Sequence, residues 1–289
     1  MTMKIALLGT GTMGAGMARR LLGAGFALTV WNRSPARAAP LGEIGATLAS
    51  SPADAATGAD CVIAMLADNT ASKDAWLGPQ GALGAMAPGT VAIECSTLDC
   101  EWVGTLAHAM ADAAINFVEA PVTGSKVQAE SGTLRFLVGS DQTSLDLARP
   151  VLDGMGNAII HLGPVGSGAV LKLANNFLAG LQAAAFAEAL ALIEAKGLDR
   201  ERATGVLRAG APGSPMVGLM ADRMLADDFE PNFLVPLMIK DLGYAEHLLA
   251  SAGINSALVR AARARFDDAV AAGLGDRDIS AVIVPLRAG

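Results

Sequence analysis

The chain has 289 residues, enough for two domains at roughly 150 residues each. It is 52% hydrophobic, 17% charged and 4% aromatic, with a mean hydropathy of +0.43, which excludes a disordered chain and allows a substantial core. The net charge of −7 and the lack of any basic run argue against nucleic acid as a partner, so an anionic ligand must be held by a few placed groups. Cys61, Cys95 and Cys100 contain no CxxC pair, and His108, His161 and His247 are scattered, so neither a disulfide scaffold nor a metal site is expected.

In chain order, KIALLG from Lys4, FALTVW from Phe26, CVIAML from Cys61, VAIEC from Val91, INFVEA from Ile115, LRFLVG from Leu134 and AIIHLG from Ala158 predict buried strands. Segments such as AGMARRLLGAG and TLAHAMADA between them predict helices. The fold class is therefore α/β: a Rossmann-type, doubly wound, mainly parallel sheet. The strand pattern ends near Gly163, which divides the chain into an α/β domain, residues 1–163, and an all-helical domain, residues 164–289. One long helix is predicted over 169–196, ending at Gly197, with further helices over 201–207, 215–226, 237–252 and 256–272.

Two uncharged stretches raise the question of a membrane span, which needs about 20 mostly apolar residues. The first, after Asp74, is broken by Gly78, Pro79, Gly81, Gly84, Pro88 and Gly89. The second, after Lys172, carries Asn175, Asn176 and Gln182 and stops at Glu188. No span is expected. MTMKIALLGT lacks the basic leader and cleavage site of a signal peptide, so a cytoplasmic location is expected. The long helix is apolar on all sides and must be covered, which points to a homodimer or homotetramer.

GTGTMG, residues 9–14, has the GxGxxG spacing with a strand before it and a helix after it. Gly9 suits the tight turn, Gly11 allows a pyrophosphate to approach, and Gly14 lets the helix pack close. The N–H groups at the helix start, at Thr12 and Met13, then face the phosphates. An NAD enzyme usually places an acid after the second strand, whereas this chain has Asn32, Arg33 and Ser34. With no acid to repel a 2′-phosphate and a guanidinium to hold it, NADP(H) is expected over NAD; a solvated surface arginine is the alternative. Thr97, past the strand ending at Cys95, suits the nicotinamide side of the crevice or a helix cap before Glu101.

EAPVTGSK, residues 119–126, places Thr123, Gly124 and Ser125 directly after a strand, where ligands of such sheets bind. Their hydroxyls and N–H groups suit a carboxylate, although an ordinary turn has the same composition. Lys172, in GSGAVLKLANN, lies in the opening turns of the long helix among Val170, Leu171 and Leu173, with Asn176 one turn on. Partial desolvation there makes an ammonium easier to deprotonate, which suits proton donation to a carbonyl oxygen. A snorkelling surface lysine is the alternative. Lys240 and Asp241, in NFLVPLMIKDLG, stand out less and suit a solvated helix face.

GTGTMGAGMARRLLGAGF, EAPVTGSK, GSGAVLKLANN and IKDLG together resemble the β-hydroxyacid dehydrogenase family over nearly the whole chain. VWNRS, the Ser125–Lys126 pair and the ending GLGDRDISAVI look most like its NADPH-dependent glyoxylate/succinic semialdehyde reductase branch. The resemblance implies that Lys172 is the catalytic acid/base, partnered by Asn176, and that Thr123 and Gly124 hold the substrate carboxylate with Ser125 beside them. The family usually has Ser at Thr123, a change that keeps the hydroxyl. Thr97, Lys240 and Leu66 would contact the cofactor, and Phe233 and Asp241 would line or order the site. The implied substrate is a small carboxylate-bearing aldehyde or hydroxy acid, met in a crevice between the two domains. The rivals are a 3-hydroxyisobutyrate-type dehydrogenase working oxidatively, a non-catalytic NADP-binding protein, and an imine reductase. Imine reductases usually lack a lysine at position 172, and 6-phosphogluconate enzymes have a longer helical domain.

Overall fold

Buried apolar runs that alternate with helices can pair in parallel only through crossovers, and the computed structural model, which describes residues 2–287, has that arrangement. The strands are β1 Lys4–Leu8, β2 Ala27–Trp31, β3 Thr47–Leu48, β4 Cys61–Ala64, β5 Val91–Glu94, β6 Asn116–Glu119, β7 Val122–Thr123, β8 Leu134–Gly139 and β9 Gly156–Gly163. Their order is β3-β2-β1-β4-β5-β6-β8-β7, with β9 paired to β8. Pairing is parallel from β3 through β6 and between β8 and β9, and antiparallel where β8 meets β6 and β7. The chain reverses direction across the sheet between β1 and β4, the place where such folds open a crevice at the carboxyl ends of the strands.

Two compact units divide the chain, Met1–Lys172 and Leu173–Gly289. In the first, successive β1 side chains feed opposite cores: Ile5 and Leu7 join one layer, Ala6 and Leu8 the other. That double burial explains why the central strands are apolar without alternation. Helices α1 Thr12–Gly23, α2 Pro35–Gly42, α3 Pro52–Ala56, α4 Asn69–Leu77, α5 Cys100–Asp112, α6 Lys126–Ser131 and α7 Gln142–Asp153 form the crossovers and cover the sheet. β9 departs from the expected buried strand. Among the described residues it pairs with no strand but β8, and His161 and Leu162 are exposed. β3 and β7, each of two residues, are too short to give a periodic signal.

The second unit is helical. The 29-residue α8, Ser167–Ala195, runs into it and is followed by α9 Arg200–Ala209, α10 Pro215–Leu225, α11 Val235–Ser251, α12 Ala257–Ala271 and α13 Val284–Arg287. A 3-10 segment, Ile279–Ile283, which the sequence pattern did not suggest, is fully buried. Gly180 lets α11 approach α8, since a Cβ there would sit 2.7 Å from the Met238 sulfur. By length and composition α8 could cross a bilayer, but Leu173, Ala183, Phe186, Ala187 and Leu190 are buried within the protein.

Candidate active site

The glycine turn is built as its spacing requires. Gly9 has φ +98°, and a Cβ on it would lie 2.2 Å from the Met65 carbonyl. A Cβ on Gly14 would lie 2.0 Å from the Gly9 carbonyl, so the helix can start only this close without a side chain. Gly11 faces open space. It is the N-cap of α1 and provides no side-chain cap, whereas α4, α5, α7, α9, α10 and α12 are capped by Asp68, Asp99, Asp141, Asp199, Ser214 and Ser256. The buried Thr10 hydroxyl has no hydrogen-bond partner among the described residues. An uncapped positive helix end, an open glycine backbone and an orphaned hydroxyl fit the pyrophosphate of a dinucleotide.

Asn32 ties this turn to β2. Its Oδ1 accepts from Thr10 N at 3.0 Å, and its Nδ2 donates to the Ser34 carbonyl at 3.0 Å. The side chain holds the loop, while Arg33 and Ser34 lie exposed beyond it. Arg37, one turn into α2 and also exposed, adds a second cation that sequence reading passed over. Thr12 is exposed at the start of α1 and Met13 half-buried beside it. Leu66 follows β4 and overhangs the glycine turn, with its Cδ2 2.9 Å from where a Gly9 Cβ would be.

Glu94, at the end of β5, organises the next two loops. Its Oε2 accepts from the Ser72 hydroxyl at 2.9 Å and Trp76 Nε1 at 2.8 Å, and its Oε1 accepts from Ser96 N at 2.9 Å. Ser96 Oγ in turn accepts from Leu66 N at 2.7 Å, and Trp102 Nε1 donates to Ser72 Oγ at 3.0 Å. Burial pushes the Glu94 carboxyl above the usual range, against the hydrogen bonds from Ser96, Trp76 and Ser72. Thr97, half-buried between Ser96 and Asp99, is not the cap of α5; Asp99 is, accepting from Trp102 N at 2.7 Å. Asn69 and Asp99 pair side chain to side chain, joining the loops after β4 and β5.

The EAPVTGSK segment starts at a second buried acid. Glu119 is in register with Glu94 on the neighbouring strand. Its Oε2 accepts from Gly166 N and its Oε1 from Ala169 N, which fixes the start of α8. Burial raises its carboxyl to about 7, against the N–H groups of Gly166, Ala169 and Gly168. Cys100, on α5, is pushed up to about 11 by burial and then by the charges of Glu119 and Asp99. Thr123 is half-buried in β7, opposite Arg135, and Gly124 has φ +124°. The Ser125 hydroxyl donates to Gln128 Oε1 at 2.6 Å, so it closes the first turn of α6. That helix packs on α1, where a Cβ on Gly16 would meet Ala129 at 2.9 Å. Lys172, half-buried, lies one turn beyond Ala169 on α8.

In the second unit, the buried Asn176 donates from Nδ2 to Asp241 Oδ2 at 2.6 Å. Asp241 also pairs through Oδ1 with Lys240 Nζ at 3.0 Å, so Lys240 is not on a solvated face; its side chain is 16% exposed. Asn175 Nδ2 donates to Asn176 Oδ1, fixing that amide. Phe233 is placed by Asp278, whose Oδ2 accepts from Phe233 N at 2.8 Å while Arg223 Nε lies 3.2 Å from Oδ1. Asp278 belongs to the GLGDRDISAVI ending, whose task is thus to brace the segment entering α11.

Two family models cover the chain. Residues 4–163 match the NAD binding domain of 6-phosphogluconate dehydrogenase, and residues 166–286 match the NAD-binding domain of NADP-dependent 3-hydroxyisobutyrate dehydrogenase. Glyoxylate/succinic semialdehyde reductase 2 of Arabidopsis thaliana is 36% identical over 99% of this chain and 80% of its own.

The chain belongs to the β-hydroxyacid dehydrogenase family.

It is an NAD(P)-dependent oxidoreductase of that family, with the family's fold of a Rossmann domain followed by a helical domain. Another family member, the NAD-dependent L-serine dehydrogenase of Pseudomonas aeruginosa, is 34% identical over 96% of both chains. The solved structure of Mycobacterium tuberculosis 3-hydroxyisobutyrate dehydrogenase with L-serine superposes with a TM-score of 0.88 at 32% identity, covering 99% of this chain and 100% of that one.

Sequence reading missed Glu94, Glu119 and Asp278. A signal existed for the first two: each is the sole charge in its apolar run, VAIEC and INFVEA.

Proposed function

We propose that the protein is an NADPH-dependent reductase of small aldehyde and oxo acids, with glyoxylate and succinic semialdehyde as leading substrates. The observation that carries this reading is the half-buried Lys172, held at the start of α8 by the same strand end that leads into the Thr123 loop. Gly9, Gly11, Thr12, Met13 and Gly14 receive the pyrophosphate, with Leu66, Thr97 and Lys240 as further cofactor contacts. Arg33, with Asn32, Ser34 and Arg37 around it, holds the 2′-phosphate, and the absence of an acid after β2 removes what would repel it.

The bound cofactor supplies a hydride to the carbonyl carbon. The Thr123 hydroxyl and the Gly124 and Ser125 N–H groups bind and orient the substrate carboxylate. Lys172 gives its proton to the carbonyl oxygen as negative charge develops there. Asn176, fixed by Asp241, keeps that region of α8 in one arrangement, and Phe233 lines the substrate side. Residues 1–163 act as the cofactor domain, and 164–289 as the substrate domain and the surface for a homodimer or homotetramer, working in the cytoplasm.

A second reading is oxidation of a β-hydroxyacid, favoured by the NAD-dependent L-serine dehydrogenase among the relatives and the L-serine complex among the structures. Assaying a panel of glyoxylate, succinic semialdehyde, 3-hydroxyisobutyrate and L-serine with NADPH, NADH and their oxidised forms separates the two. Highest kcat/KM for an aldehyde acid with NADPH supports the reductase. Highest kcat/KM for a hydroxy acid with NAD overturns it.

A further inference from the structure

From the geometry of β6 and the start of α8 we infer that Glu119 is the positioning residue for Lys172, tying the helix that carries the lysine to the strand that leads into the Thr123 loop. The inference rests on the assignment of Lys172 as proton donor. A helix starts with unpaired N–H groups, normally satisfied by a local cap. At the start of α8, Ser167 N finds the Pro164 carbonyl, and Gly166, just before the helix, and Ala169 turn their N–H groups to a carboxylate 47 and 50 residues earlier in the chain. Both oxygens are used, one on each side of the first turn, so the carboxylate sets the helix's rotation as well as its position. Lys172 follows Ala169 by one turn, so a twist or slip at the start moves its ammonium directly.

Two glycines are shaped around this acid. A Cβ on Gly168 would lie 2.8 Å from Glu119 Oε1 and 2.3 Å from the Leu137 carbonyl. A Cβ on Gly139 would lie 3.1 Å from the Glu119 carboxyl. Glu119 is 1% exposed and is followed directly by Ala120, Pro121 and β7, so the tie has almost no slack on the substrate-loop side.

The test is Glu119→Gln, which keeps the shape but sets an NH2 against one of the N–H donors. Expected is a kcat loss of about 10- to 100-fold, the range for small misplacements of catalytic groups, with Kd for NADPH within twofold of wild type. The solvent deuterium isotope effect on kcat should rise, because proton donation becomes limiting. In a Lys172→Ala background the same substitution should have no further effect, the signature of action through Lys172. If the Gln variant does not fold, Glu119→Asp, which keeps both acceptor oxygens at shorter reach, is read in the same way. Wild-type kcat in the folded variant, or an equal fold-loss in the Lys172→Ala background, overturns the inference. Lys172→Ala with undiminished turnover sinks the underlying assignment instead, so the two failures are distinguishable.

Discussion

Removing the Glu94 carboxylate should weaken the Rossmann unit far more than deleting one surface acid. In Glu94→Ala the Trp76 Nε1–H and Ser96 N–H lose their acceptors at 2.8 and 2.9 Å in a fully buried place, while the Ser72 hydroxyl can turn elsewhere. Each orphaned buried donor costs about 1–3 kcal/mol, and the void left by the side chain adds to that. Relief of the burial that raises the Glu94 carboxyl offsets part of the loss, so the net expectation is about 3–6 kcal/mol. Glu94→Gln keeps one acceptor oxygen and turns an NH2 toward a donor, for about 1–3 kcal/mol. Urea unfolding followed by tryptophan fluorescence is the assay. Trp31, Trp76 and Trp102 all lie in the first unit, and two of them belong to the network, so the signal reports on this unit alone. Because Ser96 holds Leu66 N, the Kd for NADPH should weaken as well. A Glu94→Ala protein within about 1 kcal/mol of wild type would refute the reasoning.

Arg33→Asp should weaken NADPH binding about 10- to 100-fold, the worth of one or two charge-assisted hydrogen bonds, and NADH binding much less. Fluorescence titration with both cofactors checks this, and equal losses contradict the 2′-phosphate assignment. Glu119, raised by burial to about 7, gives a stability term that is fully present below the unfolded carboxyl value of about 4.5 and is lost as pH rises through 7. The difference in unfolding free energy between Glu119→Gln and wild type should therefore shift in favour of the variant across that window, by on the order of 3 kcal/mol. A flat difference between pH 4 and 8 contradicts it.

The sheet was legible because its strands are buried on both faces and read as unbroken apolar runs; Ile5, Ala6, Leu7 and Leu8 need no partner's identity to be assigned. β3 and β7 are not legible because two residues carry no period, and the apolar AIIHLG run predicts a buried strand because composition does not report that β9 lies at an edge. The glycine turn could be read residue by residue, since each glycine answers a local steric demand. The acids could not. Glu119 finds its partners 47 and 50 residues on, and Asp278 reaches back 45 residues to Phe233, pairings that only the folded topology defines. Spacing alone makes Lys240 a solvated cation, because its ion pair with Asp241 depends on burial that spacing does not disclose.

The most direct test of the central claim is Lys172→Ala, assayed for reduction of glyoxylate and succinic semialdehyde alongside NADPH binding. Turnover should fall by about 100-fold or more, the scale of a lost general acid, with the Kd for NADPH unchanged within a factor of about two. Undiminished turnover with the same cofactor affinity would contradict it.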